Sequence, residues 1–430
     1  MAKQEKPAFY ETQQIKELMS LINVRAISGI MCNFNCSRIY SGKVGLLQVS
    51  TYLKKTIPKE DRRAIIITDG FTKKFVNKIS FYLDRINMKY KVWSGVKPEA
   101  PVPTVDEGVK ICEEFKPKVI IGIGGGSVLD TAKMVMLKYE KPEEDLYMII
   151  PFLGSLGLRQ KVRYLIAIPT TCAGAETTYA AVATDMLRDP PKKLELFNDE
   201  LMPDIAILDV DFVKDTPPLF TMATGMDALA HAIGAYTVKY ANPISDSLAV
   251  TAIKEILKFL PRAYKYGGKD IEARQHMQLA ATLSGLAFGN TMAGIDHSLG
   301  HSFGKIMGVH HGLSVGLFIP YSVGYTAKVT DKWMDLCPLF GIELKSKNKK
   351  ELLNEFIGAI KKFMRSIDAP TCVKDLKDLE VDKDEYMKRI DLLSNYAYED
   401  GVTLASPRPI NEDVYKKIFQ YAYDGVDIDF

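Results

Sequence analysis

Val119-Ile120-Ile121-Gly122-Ile123-Gly124-Gly125-Gly126-Ser127-Val128-Leu129-Asp130-Thr131-Ala132-Lys133 is the stretch that decides the fold of this 430-residue chain. Its β-branched start reads as a buried strand and its end as the first turns of a helix, so the glycines stand at a strand-to-helix turn. Without Cβ atoms the backbone can approach a phosphate, and the free N–H groups of the helix start point at the anion. The turn departs from the G-x-G-x-x-G fingerprint, because Ser127 occupies the place of the third glycine.

Working outward, short β-branched runs alternate with amphipathic stretches. Arg63 to Gly70 reads as a strand and turn, Thr72 to Ile86 as a helix, Lys91 to Ser94 as a strand and Val105 to Phe115 as a helix; after the glycine turn the helix runs from Ser127 to Tyr139, and strands follow at Tyr164–Ile168 and Ile205–Asp209. This is the pattern of βαβ units on a mostly parallel sheet. Asp69 closes the first clear strand, where an acidic side chain accepts hydrogen bonds from an adenosine ribose and repels the phosphate of NADP. The competing reading is an Asp capping the turn at Gly70.

Beyond Asp211 the β-branched runs stop, and Thr221–Tyr236, Asp246–Leu260, Ile271–Phe288, Lys350–Met364, Lys383–Tyr396 and Glu412–Tyr423 keep helical spacing. The expected organisation is therefore an α/β, Rossmann-like dinucleotide-binding domain over 1–213 and an all-helical domain over 214–430. Residues 1–35 form an extension to which no element is assigned. Two domains also suit a chain longer than the ~250–300 residues at which single cores stop growing.

Hydrophobic residues make up 47% and charged residues 25%, ordinary globular values that argue against disorder. The net charge of +3 comes from 56 basic and 53 acidic residues with no basic block, so nucleic acid is not an expected partner. No apolar run approaches the ~20 residues of a membrane span, and the polar start has no signal-peptide core, which places the protein in the cytoplasm. The six cysteines are accordingly read as reduced thiols, the Cys32/Cys36 pair included.

Of only six histidines, four (His297, His301, His310 and His311) fall within one short segment. Asp227 and His231 are four apart on a helical stretch and so share a face. His297 and His301 repeat that spacing, and a turn from Gly308 to Gly312 brings back His310 or His311. One carboxylate with several imidazoles is an oxygen and nitrogen donor set suited to Fe(II), Zn(II), Mn(II) or Co(II), with a position left open for substrate. His276, among Glu272, Arg274 and Gln278, reads as an ordinary packed histidine.

From about Ser41 to near the C-terminus the chain resembles the iron-containing (group III) alcohol dehydrogenase family. The glycine turn is similar to the family's GGGSxxDxAK, Val96–Thr104 to its PNPT segment, and Ile168-Pro169-Thr170-Thr171 to its PTT strand. Gly225–Ala232 and His297-Ser298-Leu299-Gly300-His301, followed by His311-Gly312, resemble its two metal motifs. The resemblance implies that Asp227, His231, His297 and His311 hold the metal, Fe(II) foremost, and that His301 stands free near the nicotinamide. It further implies that Asp69, Gly125, Gly126, Ser127, Asp130, Thr170, Thr171 and Lys193 bind NAD, and that the protein has the dehydroquinate synthase-like fold and forms a homodimer or larger homo-oligomer. Val128, the short Cys172–Glu176 loop, Gly234 and His310 depart from the family pattern.

The expected activity is reversible oxidation of an alcohol or diol with NAD. The cation stabilises charge on the substrate oxygen, and His301 passes the hydroxyl proton to water. A polyol(-phosphate) dehydrogenase or a dehydroquinate-synthase-like lyase is the same-fold alternative. It would gather Lys and Arg at the metal helices, yet Asp227–Tyr236 contains none and Lys305 stands alone between His297 and His311. A non-catalytic metal or nucleotide sensor fits less well, because both sites are complete.

Overall fold

The computed structural model describes residues 34–149, 155–345, 347–376 and 382–430. Residues 1–33, nearly all of the expected N-terminal extension and with it Cys32, lie outside the described residues. The chain divides into two compact units, Asn35–Thr216 and Pro217–Phe430.

In the first unit β1 (Arg38–Ser41), β2 (Arg63–Ile67), β3 (Lys89–Trp93), β4 (Val119–Gly124) and β5 (Tyr164–Pro169) belong to one sheet, β6 (Ala180–Asp185) and β7 (Lys192–Phe197) form a separate antiparallel hairpin, and β8 (Ile205–Leu208) returns to the sheet. The large sheet has the order β1-β8-β5-β4-β2-β3, with every pairing parallel. Parallel strands covered on both faces read as continuous apolar runs, which is why Arg63–Ile67 and Val119–Gly124 were legible. Helices α1 (Gly45–Thr56) and α2 (Val76–Asp84) set Leu46, Val49, Leu53, Ile79 and Leu83 against Ile66, Ile121, Ile166 and Ile207. Helices α3 (Val102–Phe115) and α4 (Gly126–Glu140) pack on each other, and α4 also packs on β4.

The connection from β2 runs outward to β3 and then crosses back, so β4 lies on the other side of β2. That reversal is the topological switch point of the sheet, and ligands of open α/β sheets bind outside the carboxyl ends of the strands there. The Asp69 turn follows β2 and the glycine turn follows β4.

Several elements differ from the sequence expectation. The β6–β7 hairpin was not anticipated, because Ala180–Asp185 is rich in alanine and carries little strand preference. Neither β1 nor α1 stood out locally; β1 is a four-residue edge strand placed by its pairing with β8. The helix expected over Lys383–Tyr396 is two helices, interrupted at Arg389, whose amide bonds to the carbonyl of Tyr386.

The second unit consists of α5 (Pro218–Thr237), α6 (Pro243–Tyr266), α7 (Ile271–Phe288), α8 (Ile295–Met307), α9 (His311–Thr326), α10 (Lys332–Leu336), α11 (Lys349–Arg365), α12 (Lys383–Lys388), α13 (Ile390–Tyr398) and α14 (Glu412–Asp424), with no strand among its described residues. Every residue of α5 from Thr221 to Thr237 is buried, as befits a helix that is apolar all round and packs on α6, α7 and α9. Two missing side chains let its neighbours close in. A Cβ on Gly234 would stand 2.4 Å from the amide nitrogen of Gly294, just before α8, and a Cβ on Gly312 would stand 2.3 Å from the carbonyl oxygen of Ala223. Leu299, Phe303, Leu317, Phe318 and Phe419 fill the core among α8, α9 and α14.

Candidate functional site

Asp227 and His231 project from one face of α5, one turn apart. His297 and His301 do the same on α8, which ends at Gly308 in the left-handed region (φ +72°), the usual way to terminate a helix and redirect the chain. The chain re-enters a helix at His311. The Asp227 Oδ1 atom lies 3.5 Å from Nε2 of His297, 3.5 Å from Nε2 of His311 and 3.8 Å from Nε2 of His231. Asp227, His297 and His311 each offer a ligand atom within 4.8 Å of the other two, and the His231 ring stacks on His297 at 4.4 Å. Of the two histidines that the turn left open, His310 is exposed, its ring edge-on to Phe220 at 5.4 Å, while His311 faces Asp227.

These separations are too long for hydrogen bonds. They do match the edge of a tetrahedron whose corners sit ~2.1 Å from a central cation, about 3.4 Å. Buried Asp227 Oδ1 and His297 Nε2 have no hydrogen-bond partner. Two buried polar atoms without partners cost several kcal/mol between them unless something bridges them. A divalent cation fits that requirement. The electrostatics agree: burial would raise the Asp227 carboxyl, yet the three surrounding imidazoles hold it well below the usual carboxylate range. Burial would lower His297, but the carboxylates of Asp227 and Asp296 push it up to about 9, so a proton takes up the charge that a cation would supply.

Two aspartates escaped the sequence reading. Asp296 Oδ1 accepts from His297 Nδ1 at 2.7 Å, so Nε2 is the nitrogen turned towards Asp227 and the one that would give its lone pair to a cation in place of the proton. Its place beside His297 was a signal. Asp400 Oδ2 accepts from His301 Nδ1 at 2.7 Å across 99 residues of sequence, and no local pattern could have shown it. His301 itself is buried, stacked on His311 at 5.1 Å and perpendicular to His297 at 5.8 Å. Burial pushes its imidazole down to about 4 against the pull of Asp400, so the ring is neutral near pH 7. His276 packs elsewhere, stacked on Phe259 at 3.9 Å and bonded to Glu255.

In the first unit the Asp69 and glycine turns are joined at Thr72 Oγ1, which lies 3.0 Å from the Ile123 carbonyl oxygen and 2.8 Å from Asp69 Oδ1, its one proton shared between these acceptors. That same Asp69 oxygen accepts from the amides of Phe71 and Thr72, so Asp69 does cap its turn, and the cap fixes the carboxylate beside the end of β4. Thr170 donates its amide to the Gly124 carbonyl at 3.0 Å. A Cβ on Gly125 would approach Thr171 Oγ1 to 3.3 Å, whereas one on Gly126 would meet nothing within 4 Å, so the start of α4 is open. A phosphate needs that open helix start. Ser127 Oγ accepts from the Glu99 amide at 2.9 Å, and the Glu99 carboxylate lies 3.8 Å from Lys193 Nζ, a link the sequence did not suggest. Asp130 pairs at 3.6 Å with fully buried Lys133, whose ammonium also donates to the carbonyls of Ala175 and Ala180. Burial raises the Asp130 carboxyl and lowers the Lys133 ammonium, each against the pull of its partner.

Two of the departures from the family pattern have local causes. Gly234 has no room for a side chain against Gly294. Val128 fills the space over Gly124, where a Cβ would come within 2.4 Å of its methyl group. Cys36, Cys112, Cys337 and Cys372 are free thiols. No helix among the described residues is long and apolar enough to cross a membrane.

Residues 36–210 match the family model for iron-containing alcohol dehydrogenase, and residues 221–423 match the C-terminal model of the Fe-containing alcohol dehydrogenase family. The chain is 34% identical over 406 residues to the NADPH-dependent butanol dehydrogenase of Clostridium saccharobutylicum, covering 93% of this chain and 100% of that protein. The aldehyde-alcohol dehydrogenase of Streptococcus pneumoniae serotype 4 is 28% identical over 95% of this chain, which spans 48% of that longer protein. Among solved structures, that of 1,3-propanediol oxidoreductase superposes with a TM-score of 0.81 at 27% identity, over 91% of this chain and 100% of that one. The chain belongs to the iron-containing alcohol dehydrogenase family, with that family's metal-dependent, nicotinamide-linked alcohol and aldehyde dehydrogenase activity.

Proposed function

We propose that this protein is an Fe(II)-loaded, NAD(H)-linked dehydrogenase and reductase that interconverts a small neutral alcohol or diol with its aldehyde. In this reading residues 1–213 bind the dinucleotide, residues 214–430 carry the metal and the chemistry, and the enzyme works in the cytoplasm as a homodimer or larger homo-oligomer. The observation that carries it is the meeting of Asp227, His297 and His311 within 4.8 Å of one another, with His231 3.8 Å from Asp227 and with Asp227 Oδ1 and His297 Nε2 buried without a hydrogen bond. These four would hold the cation, with His297 oriented by Asp296. Iron is favoured by the family and by an oxygen and nitrogen set without thiolate, which Zn(II), Mn(II) and Co(II) also suit.

When bound, the cation polarises the substrate oxygen and the dinucleotide exchanges a hydride with the carbinol carbon. The chain supplies the rest. His301, neutral and with Nδ1 bonded to Asp400, presents Nε2 as the acceptor for the hydroxyl proton. Gly125, Gly126 and Ser127 offer the open helix start to the pyrophosphate, with Asp130, Thr170, Thr171 and Lys193 around it. Asp69 favours NAD through charge at the ribose, a reading of this chain's own turn that differs from the NADPH dependence named for the butanol dehydrogenase. A neutral substrate is supported by the absence of Lys and Arg from Asp227–Tyr236.

The test is metal analysis of anaerobically purified protein with NADH formation across short alcohols and diols. His297→Ala is expected to lose both stoichiometric metal and turnover. Full NAD-linked activity in a verified metal-free sample would refute the reading.

A further inference from the structure

We propose that Asp400 is a positioning residue that locks His301 in the tautomer with hydrogen on Nδ1, keeping Nε2 as a lone pair for the substrate proton; the inference rests on the reading of His301 as the proton carrier. The Asp400 side chain is 2% exposed. Its two oxygens divide their work: Oδ2 accepts from His301 Nδ1 at 2.7 Å, and Oδ1 accepts from the Val402 amide at 2.9 Å, capping the short 3-10 helix Gly401–Ala405. A carboxylate only accepts, so the proton between it and the ring stays on the ring.

The segment does not depend on Asp400 for its place. Thr403 Oγ1 bonds to Ser298 Oγ of α8 at 2.9 Å, to the Ala397 carbonyl at 2.8 Å and to the Tyr415 hydroxyl at 2.7 Å. Asp400 therefore adds its contact with the His301 imidazole to a loop that Thr403 anchors as well as the Val402 cap. In the oxidation the O–H bond breaks and its proton joins the Nε2 lone pair. The O–H electrons become the second bond of the carbonyl as the carbinol C–H pair leaves as hydride to the nicotinamide. The imidazolium keeps Nδ1–H on Asp400 and later releases the Nε2 proton to water.

Asp400→Asn separates the two functions. The amide oxygen can keep the Val402 cap, while the amide NH2 facing His301 can only donate, which forces Nδ1 to accept and moves the ring proton to Nε2. Expected is a fall in kcat of about 10²–10⁴-fold, with KM for alcohol and NAD, bound metal and Tm close to those of the parent protein. Asp400→Glu is expected to recover part of the loss. In ¹⁵N-histidine spectra, the ring signal that disappears in His301→Gln should report Nδ1–H in the parent protein and Nε2–H in Asp400→Asn. The double variant should be no slower than His301→Gln alone. A merely structural Asp400 would make Asp400→Asn behave like Thr403→Val, with a lower Tm and the original tautomer, and that result overturns the proposal. So does a kcat for Asp400→Asn at the parent level while His301→Gln is slow. If His301→Gln itself turns over normally, the reading of His301 falls, and this proposal with it.

Discussion

Replacing Gly312 by alanine tests whether the metal centre is built by backbone contact between helices. The new Cβ would stand 2.3 Å from the carbonyl oxygen and 2.8 Å from the carbonyl carbon of Ala223, both main-chain atoms in the buried part of α5. Ordinary contact begins near 3.4 Å, so the first turn of α9 must withdraw by about 1 Å. Overpacking of this kind costs about 1–3 kcal/mol, which for a unit of this size lowers Tm by roughly 2–12 °C. The same movement carries His311, the preceding residue, away from Asp227 and opens their 3.5 Å separation. Metal affinity should fall by about 10–100-fold, the range seen when support for a ligand is lost. Thermal unfolding and a competitive chelator titration measure the two effects. Gly358→Ala is the control: its Cβ meets nothing within 4 Å and lies inside α11, so stability should hold or rise by about 0.5–1 kcal/mol. A Gly312→Ala protein with unchanged Tm and unchanged metal affinity would refute the close-approach argument.

Asp69→Asn keeps an oxygen for the amides of Phe71 and Thr72 while removing the charge. The ratio of kcat/KM for NADP over NAD should rise about tenfold, the equivalent of about 1.4 kcal/mol, and an unchanged ratio removes Asp69 from coenzyme choice. Glu200 gives a pH-dependent stability. Burial would raise its carboxyl, but the Ser155 hydroxyl and the amides of Leu158, Gly157 and Leu156 hold it below its ordinary value of 4.5. A depressed folded-state pKa contributes stability that is fully present above 4.5 and is lost as the pH falls through the lower folded value. The stability gap between the parent protein and Glu200→Gln, followed by urea unfolding, should be constant near neutrality and close below pH 4.5; a gap that persists in acid excludes this account.

Both candidate sites were legible in proportion to how local their signals are. The glycine turn showed itself because strand, turn and helix start are neighbours in sequence. Asp227 with His231, and His297 with His301, showed themselves because four residues make about one helical turn. Asp296 sat beside a candidate ligand and was passed over, since adjacency on a helix does not point two side chains the same way; the contact came from Asp296 reaching round to Nδ1. Nothing local separated His310 from His311. The separation comes from where α9 begins, which puts His310 in the solvent against Phe220 and His311 over Asp227. The β6–β7 hairpin and β1 were missed because their pairing partners, not their side chains, make them strands.

Periodicity and residue chemistry alone determined a parallel α/β unit followed by helices, a glycine turn between strand and helix and an Asp/His donor set, since each of those follows from spacing within one element. Tertiary structure decided what no spacing holds. It set the switch point that joins Asp69 to the glycine turn, the glycine contacts that draw α8 and α9 onto α5, and the pairing of His301 with Asp400 from 99 residues away. Those depend on which helices and strands become neighbours, and that choice is made by packing the whole core at once.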